Sequence, residues 1–275
     1  MRAPTASVDN AVWRRAGVSH GKRSVPEETA VAFTYDGGTY AVMMATPQDL
    51  DDFALGFSLT EGIVAGPADI RQLDVVAFEA GVELRMWLAE PRGAALVERR
   101  RHIAGPTGCG LCGIESLEEA VRALPQVADD TTFTAAQIMQ ALDSLSPQQE
   151  LNRQTRAVHA AAFWRPDAGL VALREDVGRH NALDKLAGAL SRGQTPVRGG
   201  MVLLTSRVSV EMIQKTAVIG APLIVAVSAP TALAIRTAEA AGITLAAIAR
   251  SDGFELFTHP QRIKESNQDT VTNVA

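Results

Sequence analysis

The residues best suited to chemistry lie at 105–113, Gly-Pro-Thr-Gly-Cys-Gly-Leu-Cys-Gly, which contain Cys109 and Cys112, the two cysteines of the chain. Four glycines let this backbone reach unusual dihedral angles and approach another molecule closely, so we expect an exposed and mobile loop. Residues 99–102, Arg-Arg-Arg-His, place positive charge just upstream. Because nearby positive charge favours the thiolate over the thiol, the sequence predicts a reactive cysteine.

A single Cys-x-x-Cys pair is compatible with several kinds of chemistry. Structural zinc needs four ligands, and neither a second pair nor suitably spaced histidines accompany this one, so we expect no metal. A thioredoxin-type pair begins a helix directly after a strand, whereas the glycines here predict a loop. Two unreactive thiols are a further alternative, but such thiols are usually buried among apolar residues, and the neighbours here are mostly glycine. The pattern favours a thiolate that accepts and passes on a group, with a dithiol redox pair as an alternative.

Composition limits the classes of protein that this chain can belong to. Its 275 residues are enough for one large or two smaller domains, and 47% hydrophobic residues are ordinary for a globular protein. A net charge of −5 argues against general nucleic-acid binding, so any anion site must be local. Residues 1–21 lack the apolar centre of a secretory signal, and no apolar run reaches the about 20 residues that span a bilayer. We expect a cytoplasmic protein that does not contact membranes.

The first hundred residues have the pattern of a small α+β domain. Residues 1–25 are small and polar, and we expect disorder at their start. β-Rich runs predict hairpins over residues 29–44 and 74–88. Between the hairpins, Thr46 is the expected N-cap of an amphipathic helix and Pro47 its first residue.

After the cysteine loop the pattern changes to alternating helices and strands. Helices are predicted at 115–123 and 135–145, followed by a hairpin over residues 160–173 and by strand–helix alternation over 182–249. Such alternation predicts a mostly parallel sheet with helices on both faces. The predicted organisation is a disordered N-terminus (1–25), a small α+β domain (26–104), a mobile Cys-x-x-Cys loop (105–113) and an α/β domain (114–275).

Three strand-to-helix junctions of this second half carry polar motifs. They are residues 174–185, Arg-Glu-Asp-Val-Gly-Arg-His-Asn-Ala-Leu-Asp-Lys; residues 205–209, Thr-Ser-Arg-Val-Ser; and residues 228–231, Ser-Ala-Pro-Thr. In open α/β sheets such junctions gather beyond the carboxyl ends of the strands, where ligands bind. Helix N-termini, hydroxyls and arginines together favour phosphate-like anions. For the charges of 174–185, a solvent-exposed helix face is the alternative interpretation.

The motifs at residues 108–113, 174–185 and 227–231 resemble the signatures of the FdhD family, the formate dehydrogenase accessory sulfurtransferases. The resemblance extends from about residue 25 to Ile263. It implies a sulfur carrier that takes persulfide sulfur from a cysteine desulfurase. The sulfur then passes to the bis-molybdopterin guanine dinucleotide cofactor, before this cofactor enters the catalytic subunit of formate dehydrogenase. The implied fold is a cytidine-deaminase-like three-layer α/β/α domain, preceded by a small α+β N-terminal domain, and the implied assembly is a homodimer.

The resemblance also implies roles for particular residues. Cys109 is the persulfide carrier and Cys112 supports it. The cofactor-binding stretch falls on Ile248, Ala249, Arg250, Ser251, Asp252 and Gly253, where Ala247 and Ile248 replace a more usual Gly-Phe. Further contacts to the cofactor are expected from the junction residues Arg179, His180, Arg207 and Ser228. The cofactor is a substrate here and no cofactor is permanently bound; guanosine diphosphate (GDP) should bind as a partial mimic.

Two other functions compete with the carrier. Zinc base deaminases share the implied fold but need a His-x-Glu and a Pro-Cys-x-x-Cys motif. Here Pro106 stands two residues too early and Ala161 occupies the position of the acid, so the fold does not imply deamination. A non-catalytic chaperone of the molybdenum cofactor is the other candidate. Its function would survive loss of Cys109.

Overall fold

The computed structural model describes residues 2–89 and 124–264. The strands of this part of the chain are β1 Thr5–Arg14, β2 Gly17–Pro26, β3 Thr29–Tyr35, β4 Gly38–Ala45, β5 Ile70–Ala77, β6 Val82–Leu88, β7 Phe133–Thr134, β8 His159–Arg165, β9 Gly169–Asp176, β10 Met201–Leu204, β11 Leu223–Ala226, β12 Thr244–Arg250, β13 Gly253–Thr258 and β14 Ile263–Lys264.

The helices of the same residues are α1 Leu50–Thr60, α2 Ala135–Asp143, α3 Leu145–Gln148, α4 Glu150–Thr155, α5 Arg179–Arg192, α6 Val210–Ile219 and α7 Ala232–Ala241, with short 3-10 turns at Pro67–Asp69 and Pro260–Arg262. None of these helices is long and apolar enough to cross a membrane. The predicted strands and helices between residues 182 and 249 are thus confirmed in type and order, with ends that move by a few residues.

The described residues divide into two compact units. The first unit holds residues 2–89, 149–160 and 174–194, and the second holds 124–148, 161–173 and 195–264. The sequence predicts a continuous N-terminal domain followed by a continuous C-terminal one. The structure instead places two later segments, which include α4 and α5, in the first unit because α5 packs against α1.

The first unit is built on a four-stranded sheet of order β4-β3-β6-β5, in which both predicted hairpins are present and β3 runs parallel to β6. Helices α1 and α5 cross in close backbone contact. A Cβ atom added to Gly56 would lie 1.7 Å from the carbonyl oxygen of Asp184, and one added to Gly188 would lie 1.9 Å from that of Asp52. Glycine is therefore required at both positions of the crossing.

The start of α1 differs from the prediction. The helix begins at Leu50, and its N-cap is Asp49 in the left-handed conformation, with φ of 52°. Thr46 does not cap the helix, because its hydroxyl accepts a hydrogen bond from the backbone N–H of Val177 at 3.1 Å instead. A distant segment of the same unit thus takes the side chain that local sequence assigns to a cap.

Residues 5–26 form two strands, contrary to the disorder expected at the start of the chain. Strands β1 and β2 pair antiparallel along all ten residues of each. A two-stranded ribbon is marginal by itself in water. Here β2 contacts α4, and the guanidinium of Arg23 donates to the carbonyl oxygen of Thr155 at 3.2 Å. This contact with the rest of the first unit anchors the ribbon.

The second unit contains a six-stranded sheet of order β13-β12-β11-β10-β8-β9. Only β10, β11 and β12 are mutually parallel, whereas β8 and β13 run antiparallel to their neighbours. The predicted mostly parallel sheet is therefore wrong, because β12 and β13 are joined by a two-residue turn that is too short for a crossover. All residues of β10 and β11 are buried, as in a sheet covered on both faces, and α2 and α3 pack on one of these faces.

Candidate functional site

The loops that follow β10 and β11, residues 205–209 and 227–231, meet the last residues of β12 at one edge of the sheet of the second unit, and we call them the loop cluster. The backbone N–H of Val208 donates to the carbonyl oxygen of Ala229 at 3.2 Å, and that of Thr231 donates to the carbonyl oxygen of Val208 at 2.9 Å. The N–H of Ile248 donates to the carbonyl oxygen of Ser228 at 3.2 Å. The expected meeting of the junctions at 205–209 and 228–231 is thus confirmed, since parallel strands end at the same edge.

Two arginines give this loop cluster positive charge. Arg207 is exposed, and its neighbour Ser228 in the cluster is half-buried. The exposed guanidinium of Arg250 donates to the carbonyl oxygens of Val227 and Ala249. The helices α6 and α7 both begin from the same loops. Exposed cations beside two helix N-termini are well suited to an anionic ligand.

The stretch 248–253 contains a strained backbone position. Ile248 has φ of 54°, in the left-handed region that β-branched residues rarely adopt. The pairing of β12 with β13 shifts register between Ala247 and Arg250, and Ser251 and Asp252 form the exposed turn that follows. Strain of this kind costs about 1–3 kcal/mol and is concentrated at functional sites, as are β-bulges. The structure therefore gives a physical reason to retain this stretch as a candidate.

The start of α6, which the sequence marks as part of a polar junction, holds two buried oxygen atoms without partners, and the sequence does not predict that they are unsatisfied. Within the described residues, Ser209 Oγ and Glu211 Oε2 have no hydrogen-bond partner. Glu211 is 7% exposed, and Ser209 occupies the N-cap position without accepting the usual cap hydrogen bond. The motif Ser-Val-Glu belongs to a predicted junction, but it does not show that its oxygens lack partners, because Ser and Glu are ordinary residues of a first helical turn.

The junction at 174–185, in the first unit, contains a buried cluster that is fully hydrogen-bonded. Lys185 Nζ donates to Asp176 Oδ2 at 2.6 Å and to the carbonyl oxygen of Thr46 at 2.8 Å. Asp176 also accepts from the Asn181 amide and from the backbone N–H groups of Gly178 and Thr46. Both Lys185 and Asp176 are 0% exposed. We call these five residues the Asp176 cluster; they are hydrogen-bonded to one another, so the solvent-exposed helix face is the wrong interpretation of this part of the motif.

Two other charged residues of this motif, Arg174 and Glu175, also have protein partners. Arg174 and Arg192 both bind the carboxylate of Asp52, at 2.7 and 2.8 Å. The carboxylate of Glu175 accepts two backbone N–H groups at the start of α4, at 2.7 and 2.8 Å. Burial raises the pKa of Glu175, and the two N–H donors act in the opposite direction. The dense charge at 174–185 thus stabilises the first unit.

Some predicted site residues keep their status as predictions. Arg179 and His180 begin α5 and are half-buried, and Arg179 Nε is buried without a hydrogen-bond partner among the described residues. Cys109 and Cys112 lie outside the described residues, as does the helix predicted at 115–123. Their proposed roles therefore rest on sequence.

Comparison with known proteins identifies the family. Residues 26–264 match the model of the FdhD/NarQ family. The chain is 54% identical over 264 residues to the sulfur carrier protein FdhD of Agrobacterium fabrum, covering 96% of this chain and 97% of that protein. It is 49% identical over 252 residues to the protein of the same name from Cupriavidus necator, covering 92% and 88%. The chain belongs to the FdhD/NarQ family, as its motifs predict.

A solved structure agrees with this assignment. The fold is similar to the crystal structure of a protein from Desulfotalea psychrophila that is described as a candidate formate dehydrogenase accessory protein. The TM-score is 0.75 at 25% sequence identity, and the match covers 94% of this chain and 99% of that one. The mixed α/β fold is therefore shared, whereas the cytidine-deaminase-like architecture stays a prediction.

Proposed function

We propose that this chain is a sulfur carrier for formate dehydrogenase. Cys109 accepts persulfide sulfur from a cysteine desulfurase and delivers it to the bis-molybdopterin guanine dinucleotide cofactor, before this cofactor enters the catalytic subunit. The observation that carries the proposal is similarity over nearly the whole chain to proteins named sulfur carrier protein FdhD. The proposal includes a homodimer that acts in the cytoplasm.

The cysteine pair has the chemistry that both transfer steps need. The Cys109 thiolate attacks the outer sulfur of the donor persulfide, so a new S–S bond forms at Cys109 while the donor cysteine leaves as a thiolate. Releasing this sulfur as sulfide requires two electrons. The thiol of Cys112, or an external thiol, supplies them by forming a disulfide with Cys109. Residues 99–101, all arginine, favour the thiolate that starts the sequence.

The loop cluster of the second unit supports binding of the phosphate-containing end of the cofactor. Arg207 and Arg250 are exposed beside the N-termini of α6 and α7. Ser228 lies in the loop that joins β11 to α7. These groups donate hydrogen bonds and carry positive charge, as a diphosphate requires. We expect GDP to bind there as a partial mimic, more weakly as the salt concentration rises.

Mass spectrometry tests the carrier step directly. The protein is incubated with a cysteine desulfurase and cysteine, and peptides are then mapped with and without reductant. We expect one added sulfur atom at Cys109, which reductant removes. A Cys112→Ala protein should still be labelled, and a Cys109→Ala protein should not. Labelling only at Cys112, or no labelling, would contradict the proposal.

Activity in cells separates the carrier from the two alternatives. In cells that depend on this protein for formate dehydrogenase activity, Cys109→Ala should abolish the activity and Cys112→Ala should retain a measurable part of it. A persulfide carrier needs one nucleophile, whereas a dithiol redox protein needs both thiols. Full activity of Cys109→Ala would favour the non-catalytic chaperone, and equal total loss in both variants would favour the dithiol.

A further inference from the structure

One buried carboxylate of this protein differs from the others in residues 2–89 and 124–264. Most of the buried acids in that part of the chain accept hydrogen bonds or pair with arginine or lysine: Asp52, Asp129, Glu175, Asp176 and Asp184. Glu211 is equally buried, at 7% exposure, yet its Oε2 has no hydrogen-bond partner there. Burying a carboxylate oxygen without a donor is costly, so this exception calls for an explanation.

The neighbouring Ser209 shows the same anomaly. A serine at an N-cap normally accepts a hydrogen bond from the second or third N–H group of the helix, but Ser209 makes no such cap and its Oγ is buried without a partner. Two acceptor oxygens are thus unsatisfied at the start of α6, within the described residues. Buried polar groups that a protein leaves unsatisfied are typical of functional or strained sites, and a bound ligand is one source of the missing partner.

The position of Glu211 connects it to the loop cluster. It lies three residues after Val208, whose backbone is hydrogen-bonded to the loop that follows β11, and four residues after the exposed Arg207. A cation suited to phosphate and an acceptor suited to N–H donors therefore belong to one strand-to-helix junction. That combination matches a ligand with an anionic group and a ring that donates hydrogen bonds.

We propose that Glu211 binds the 2-amino-4-oxopyrimidine edge that guanine and pterin rings share, an assignment that rests on the proposed function. This edge presents two adjacent donors, the ring N–H and the exocyclic amino group. An ionised carboxylate only accepts hydrogen bonds and can accept both. Adenine presents a ring nitrogen lone pair in place of the ring N–H, so the same carboxylate repels it. Glu211 is then a specificity-determining residue for the cofactor.

Nucleotide discrimination by the full-length protein tests this assignment. Calorimetric titrations compare GDP, inosine diphosphate, which lacks the amino group, and adenosine diphosphate. We expect GDP to bind roughly 10- to 100-fold more tightly than inosine diphosphate, because hydrogen bonds to a charged group are involved. Glu211→Gln should reduce the ratio of the two affinities to nearly one. A wild-type protein that binds both nucleotides equally would overturn recognition of the guanine end and leave the pterin ring as the ligand of Glu211 to be tested next.

A free pterin distinguishes the two sources of the ring. If Glu211 contacts the guanine end, Glu211→Gln weakens GDP and leaves 6-hydroxymethylpterin unaffected. If Glu211 contacts the pterin end, the pterin alone is weakened. Either result supports the recognised edge, and an unchanged affinity for both ligands overturns it. Asp143→Asn, which removes an exposed acid on α2 of the same unit, is the matched control and should change neither affinity.

Three further measurements keep the test decisive. Circular dichroism should show that Glu211→Gln is folded. Ser209→Ala, which removes the second unsatisfied oxygen and keeps the carboxylate, should weaken GDP by about 2- to 10-fold. Cys109 labelling by the desulfurase is measured separately. Labelling with no effect of Glu211→Gln on GDP or pterin binding contradicts only the role of Glu211, and such an effect without labelling contradicts only the sulfur carrier.

Discussion

The Asp176 cluster and the start of α6 are two regions of buried charge with opposite hydrogen-bonding. In the first unit, Asp176 accepts hydrogen bonds from Lys185, Asn181 and two backbone N–H groups. In the second unit, Glu211 and the adjacent Ser209 each bury an oxygen with no donor among the described residues. The cluster is complete as it stands, whereas the helix start lacks the donors that its oxygens require.

This difference separates charge that stabilises the fold from the charge that we propose binds a ligand. A buried ion pair with all its hydrogen bonds made is costly to disrupt, because removing one partner leaves the other charge uncompensated. Buried acceptors without donors lower stability in the free protein, so replacing them need not harm the fold. The number of charges in a motif does not distinguish the two cases, but their hydrogen bonds do.

The largest effect is expected from breaking the Asp176 cluster. Lys185→Met removes the cation and leaves the carboxylate of Asp176 buried without it, which should lower the free energy of unfolding by about 3–5 kcal/mol. Urea unfolding followed by circular dichroism measures the loss. Lys22→Met, at a lysine whose side chain is 75% exposed, is the control and should change stability by less than about 1 kcal/mol. Should Lys185→Met not fold, the milder Asp176→Asn is measured instead. A loss below about 1 kcal/mol in either cluster variant would show that the cluster is not structural.

A change at the loop cluster should act on binding and leave stability alone. Arg207→Ala should weaken GDP binding by about 1.5–3 kcal/mol, if the guanidinium makes a charge-assisted hydrogen bond to the diphosphate. Because Arg207 is exposed, its loss should change the free energy of unfolding by less than about 0.5 kcal/mol. Arg236→Ala, at an exposed arginine on α7, is the matched control for charge. Equal weakening in both variants would mean that only the overall charge matters.

Two buried glutamates offer the sharpest test of the contrast. Glu175→Gln loses one of two backbone N–H contacts at α4 and should lower the free energy of unfolding by about 1–3 kcal/mol. Glu211→Gln loses no hydrogen bond to the described residues, so its stability should equal or exceed that of the wild type. Thermal and urea unfolding of both variants checks this. A destabilised Glu211→Gln would mean that the carboxylate has a structural partner.

Most of the fold was predictable because it follows local periodicity. The alternating strands and helices of the second unit are where the hydrophobic pattern places them, and α6 and α7 have the predicted ends, Val210–Ile219 and Ala232–Ala241. The errors arose where distant segments decide the outcome. Thr46 has the sequence of a helix cap but bonds to Val177, and the β1–β2 ribbon is held by α4. Sequence position gives no access to such partners.

The site was predictable only in part, for a related reason. The topology rule brings Arg207 and Ser228 to one edge, since parallel strands must end together. The rule cannot tell that the acids at 174–185 have partners of their own while Glu211 lacks one. Whether a buried polar atom is satisfied depends on side chains brought from elsewhere in the fold. This information is available only from the structure.

The smallest expected effect concerns pH and tests whether burial raises the pKa of Glu175. Burial raises the pKa of Glu175 above its ordinary value of 4.5, against the effect of its two N–H donors. The pKa of Glu175 is thus higher in the folded than in the unfolded state, and the folded state binds the proton more readily. The contribution of Glu175 to the free energy of unfolding therefore rises as the pH falls through the folded-state pKa. Glu175→Gln lacks the response, and its stability deficit relative to wild type should widen on acidification. Glu83→Gln is the control of opposite sign: hydrogen bonds from Arg85 and Thr34 hold the pKa of Glu83 below its usual range, so the deficit of this variant should shrink. Urea unfolding of the three proteins at several values between about pH 4 and pH 7 measures both trends. If the free energies of unfolding of wild type and Glu175→Gln depend on pH in the same way, burial does not shift the pKa of Glu175.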